Sequence, residues 1–160
     1  MQDFFEQLEH VWPVATIGSS PILYASISVL HYFTIFLVVG SVAVVDLRVL
    51  GVLARTRRLV QLSEEIFPLL WTFLTIALVS GFLLFLTDGG DYYPDKWFRF
   101  KMLVVLLAIA AVIFVRRNVD AWDREPRIPA IAKFAAVVSL LLWVGAILAG
   151  VDIAALSGLG

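Results

Sequence analysis

Apolar residues fall into four long runs, and polar residues gather in the short breaks between them. The runs cover residues 22–53, 66–86, 97–116 and 130–156. About twenty apolar residues suffice to cross a bilayer as a helix, so each run predicts a span. Gly18-Ser19-Ser20-Pro21 resets the chain before the first run, where Ser19 or Ser20 can act as a helix cap. Arg55, Arg57 and Arg58 close that run, and Glu64 and Glu65 precede the second. Pro68 suits a first helical turn and not an interior one, which predicts a helix start near 65–68. Thr87-Asp88-Gly89-Gly90-Asp91 stops the second run. Arg116-Arg117 ends the third, and the polar stretch NVDAWDREPRIP predicts a loop. Ahead of all four, residues 2–13 place Phe4, Phe5, Leu8, Val11 and Trp12 at helical spacing opposite Asp3, Glu6, Gln7 and Glu9. That pattern predicts a short amphipathic helix lying on the membrane surface.

The expected fold is all-α: a four-helix transmembrane bundle, up-down, with an interfacial N-terminal helix, in one domain over residues 1–160. Composition agrees, with 61% hydrophobic and 16% charged residues against about 25% charged in soluble domains. The net charge of −1 offers no basic surface for nucleic acid, so the expected surroundings are the lipid bilayer. There is no cysteine, which excludes disulfides, thiolate metal sites and cysteine nucleophiles. The first twenty residues lack a basic n-region, so the first span is expected to be retained as signal and anchor.

Loop charge orients the spans. Arg55, Arg57 and Arg58 lie in the first connection, and Arg116, Arg117, Arg124, Arg127 and Lys133 in or beside the third. The positive-inside rule therefore puts these connections in the cytoplasm and both termini outside. Gly145/Ala149, Ala146/Gly150 and Ser80/Gly81 are small-residue contact surfaces. They serve packing within the bundle or self-association, and a partner subunit is a further option.

Ionisable residues within the spans are the candidates for chemistry, because lipid-facing charge is costly. His31 lies nine residues past the start of the first run, roughly 14 Å down. Tyr24, Ser28, Thr34 and Ser41 share its face. An imidazole there can ligate haem b or copper, hydrogen-bond a quinone, or relay protons. It can equally be satisfied by a hydroxyl or carbonyl of another helix. The other histidine, His10, lies in the leader, so a bis-His haem would need that leader inside the bundle. Arg99 and Lys101 can bind an anionic head group or anchor the interface. Asp46 and Arg48 point to different sides of the helix and each needs its own partner. Glu64 or Glu65 can answer Arg48, and Arg116, Arg117 or Lys133 can answer Asp46, as a structural charge network or a relay. No phosphate-binding loop, nucleophile elbow or paired carboxylate set is present.

Several of these residues fall in familiar company. His31, the segment Asp46-Leu47-Arg48-Val49-Leu50-Gly51, Pro68, Ser80-Gly81, Phe98-Arg99-Phe100-Lys101-Met102, Ser139 to Trp143 and Ala149-Gly150 together cover nearly the whole chain. In this spacing the chain resembles a bacterial family of four-helix inner-membrane proteins of unknown function. Members often follow the last glycine with arginine; here Val151 stands in that place. A shorter likeness, in the membrane histidine and the Gly81…Lys101 pair, is to the copper resistance protein D group. It implies copper or haem-linked redox biology in a bacterial inner membrane. The functions left open are a redox or ligand-binding module centred on His31, a non-catalytic accessory subunit, and a transporter of protons or small solutes.

Overall fold

The computed structural model describes residues 11, 12, 14–88 and 92–157, with side chains described as far as Gly150. Most of the expected surface helix at 2–13 lies outside these residues. Five helices follow: α1 (Val14–Ser19), α2 (Pro21–Val49), α3 (Leu59–Thr87), α4 (Lys96–Arg124) and α5 (Ala130–Ser157). The last four form an all-helical bundle, and each contains an apolar window of mean hydropathy between 2.1 and 2.5. A 29-residue helix is about 43 Å long, more than the roughly 30 Å hydrocarbon core. The protein is a multi-pass membrane protein.

Three helix limits differ from the sequence pattern. α2 ends at Val49, because Gly51 adopts φ +75° and the Gly51 and Val52 amides turn back to the carbonyls of Arg48 and Leu47. α3 begins at Leu59, well before the predicted 65–68, so Pro68 sits inside a helix. The reason lies on another helix: Asp123 Oδ1 accepts the Leu59 amide at 2.8 Å, capping α3 from outside. Asp123 can do so because α4 continues to Arg124 through what reads as a polar loop.

Neighbours around the bundle are α2 with α3, α3 with α4, α4 with α5, and α5 with α2, so α2 and α4 stand on a diagonal. On α2 and α4 the interior is lined by valine and alanine, and larger apolar side chains enter it from α3 and α5. Val38, Val42, Val45 and Val49 on α2 alternate steps of four and three, the spacing of interlocking helices. Ala108, Val112, Val115 and Val119 repeat those steps on α4 at an offset of 70 residues. Ser63, Phe67, Leu70, Leu74 and Ala77 on α3 return as Ala132, Ala136, Ser139, Trp143 and Ala146 on α5 at an offset of 69. The bundle is thus two helical hairpins of like register, α2–α3 and α4–α5, facing each other. Large apolar side chains such as Phe33, Phe36, Phe82, Leu106 and Phe134 are exposed on the outside. An apolar exterior, with small residues where the helices approach each other, suits a lipid-facing bundle.

Candidate functional site at His31 and Lys101

The same register brings the candidate residues together. His31 on α2 and Lys101 on α4 are separated by 70 residues, and Gly81 on α3 and Gly150 on α5 by 69. Each hairpin therefore seats one ionisable side chain on a glycine of its own second helix. A β-carbon at Gly81 would lie 2.6 Å from His31 Cε1, so the imidazole occupies space that only glycine leaves. A β-carbon at Gly150 would lie 3.5 Å from Lys101 Nζ. Lys101 stands on the helix diagonal to that of His31, at the equivalent register position.

The hydrogen bonds fix the histidine's tautomer. His31 Nδ1 lies 2.9 Å from the Ala77 carbonyl and 3.1 Å from Ser80 Oγ. A carbonyl only accepts, so Nδ1 carries the hydrogen. Ser80 Oγ already donates to the Ile76 carbonyl at 2.7 Å, which leaves its oxygen to accept from the ring. In the neutral imidazole Nε2 is then a bare acceptor, directed away from these bonds. Lys101 supplies only donors. Among the described residues no carboxylate forms an ion pair with it; the side chain of Asp152 lies outside them.

The other predicted site residues are placed differently. Thr34 is buried, but its hydroxyl donates to the Leu30 and His31 carbonyls of its own helix. Arg99 donates to the Pro94 carbonyl at the loop and does not join His31. Ser28 is half-buried one turn above. Tyr24, two turns above, donates to Asp88 Oδ2 at 3.0 Å. Those two residues line a cleft of about 500 Å³ with Val14, Gly18, Ser19 and Thr87, at the bundle end nearer the site. Ala77, Ser80, Gly81 and Gly150 complete the site. The small-residue pattern marks the last three as packing positions only; nothing in it says that a histidine and a lysine rest there.

At the opposite end the expected charge network is redistributed. Arg48 donates twice to the Arg57 carbonyl, at 2.9 and 2.7 Å, and so clamps the first connection rather than pairing with Glu64 or Glu65. Glu65 pairs with Arg57 at 2.8 Å, and Glu64 is exposed. Asp46 is 2% exposed and has no ion pair among the described residues. Arg116 stands over the Phe67 ring, 5.4 Å from its centre, and Arg117 is exposed.

One profile, described as a family of unknown function (DUF6644), matches residues 4–155. The chain belongs to that family. Comparison with curated proteins and with solved structures gave no match. In this DUF6644 chain the described residues do not assemble a resident metal site. Among the described residues no three His, Asp or Glu side chains converge, so copper would find one nitrogen. Among the described residues haem b would find one axial nitrogen, that of His31, and Met102 is exposed beside Lys101; His10 lies outside them.

Proposed function

We propose that this protein is a membrane ligand-binding module, and that its ligand is a lipid-soluble molecule with an oxygen-bearing head group of the quinone–quinol class. The observation that carries this reading is the seating of His31. With Nδ1–H committed to Ala77, Nε2 is an acceptor for a quinol hydroxyl. The Lys101 ammonium is a donor for the carbonyl or phenolate oxygen at the other side of a ring. Glycines 81 and 150 leave the space against which the two side chains rest, at equivalent positions of the two hairpins. Ligand pockets of this kind combine apolar walls with a few convergent polar groups. Redox work would require an electron partner beyond this chain; binding does not. The positive-inside rule supports placing the arginine-rich end in the cytoplasm and both termini outside. The bacterial inner membrane is the setting that the resemblance supports.

The test uses decylubiquinone and the full-length protein in nanodiscs, with quenching of tryptophan fluorescence as the readout. His31→Gln keeps the fold and weakens binding at least about tenfold, which corresponds to ~1.4 kcal/mol. Binding unchanged in both His31→Gln and Lys101→Met would overturn the reading. An accessory subunit held in register by His31 is the second reading, favoured by the ring's own bonds to α3. It predicts that His31→Gln lowers thermal stability and that the wild type binds no quinone.

A further inference from the structure

At the arginine-rich end, the carboxyl of Asp46 is buried without a counter-ion among the described residues. It is 2% exposed, and its Oδ2 has no hydrogen-bond partner among the described residues. It opens on a cavity of about 10 Å³ whose other walls are Val42, Val45, Phe67, Leu70, Val112 and Val115. Ser139 on α5 stands beside it, and its hydroxyl is also unpaired, as are Ser63 Oγ and Trp143 Nε1. Unpaired polar atoms are thus buried on three of the helices.

The charged groups on every neighbouring element are engaged elsewhere or point out. On α2, Arg48 is tied to the Arg57 carbonyl. On α3, Glu65 is paired with Arg57, and Glu64 is exposed. On α4, Arg116 stands behind the Phe67 ring, Asp123 is paired with Arg58, and Arg117 and Asp120 are exposed. On α5, Lys133 is exposed. A bare carboxylate in such a place costs many kcal/mol, and the ordinary escape is to take up a proton. The cavity does not fit calcium or magnesium, which need about six oxygens, since Asp46 is the one polar side chain in its wall. One water is the most that the cavity holds, at the lower limit of ~10–15 Å³ for such a site.

We propose that the Asp46 pocket is a proton-binding site, with the neutral carboxylic acid as its loaded form and the neighbouring Ser139 hydroxyl as the group placed to hydrogen-bond the acid once it is loaded. The site is separate from the His31–Lys101 level. Asp46 and Arg116 are themselves 70 residues apart, so they hold equivalent positions in the two hairpins.

Infrared spectroscopy of the full-length protein in lipid reads the carbonyl stretch of a protonated carboxylic acid directly. The wild type shows this band at neutral pH, Asp46→Asn removes it, and Ser139→Ala keeps it but shifts its frequency. If Asp46→Asn does not fold, the Ser139→Ala shift carries the assignment alone. Absence of the band in the wild type overturns the proposal, as does a band that neither variant changes. Loss of the band on adding sodium chloride at constant pH also overturns it, because the ligand would then be a cation.

Discussion

Gly81 and Gly150 occupy equivalent places yet are under different constraint. At Gly81 the β-carbon of alanine would come within 2.6 Å of a ring that is held by two hydrogen bonds. Either the ring leaves its acceptors or the helices separate. At Gly150 the same change meets the end of a flexible lysine at 3.5 Å, an ordinary contact. Gly81→Ala should therefore lower stability by about 1–3 kcal/mol, in the range for overpacking. Gly150→Ala should be close to neutral. Thermal unfolding of both variants in the same detergent checks the contrast, and equal effects would mean that the His31 ring is not confined as described. The segment Asp46-Leu47-Arg48-Val49-Leu50-Gly51 separates in the same way, residue by residue. Asp46 faces the cavity, the Leu47 carbonyl accepts the Val52 and Leu53 amides, Arg48 clamps Arg57, and Gly51 supplies the left-handed turn.

The helix ends show which polar contacts matter among many on the surface. Ser20 caps α2 through the Leu23 amide, and Asp95 caps α4 through the Trp97 amide. Both are local caps of the ordinary kind. α3 differs: Arg58 makes no side-chain cap, and Asp123 from the far end of α4 takes that place while its other oxygen holds Arg58 at 2.9 Å. Asp123→Ala removes the cap and the tie between hairpins together, at an expected cost of about 1–2 kcal/mol. Glu65→Ala breaks only an exposed pair, expected to be worth at most about 1 kcal/mol. Denaturation of the two variants side by side separates these costs. Hydrogen exchange at the first turn of α3 should accelerate in Asp123→Ala alone.

Two like hairpins facing each other place both arginine-bearing connections at one end of the bundle and the His31–Lys101 level toward the other. The chain has no cysteine, so single cysteines report topology without background. Cysteines at Thr56 and Arg127 should be protected from an impermeant maleimide in intact cells, and one at Lys96 should be labelled. Labelling of Thr56→Cys and not Lys96→Cys would reverse the orientation. Four spans, their order and the basic ends were readable from the chain, because crossing a bilayer imposes long apolar runs whatever the neighbours are. His31, Asp46 and Lys101 also stood out, since any ionisable residue in such a run is conspicuous. Their partners did not. Ala77 contributes a backbone carbonyl, Gly81 and Gly150 contribute missing β-carbons, and Asp123 reads as loop until α4 is seen to continue. These contacts link residues 46 to 64 positions apart. They exist only once helices from separate parts of the chain are packed in one register, and a linear pattern carries no information about which helix lies alongside which.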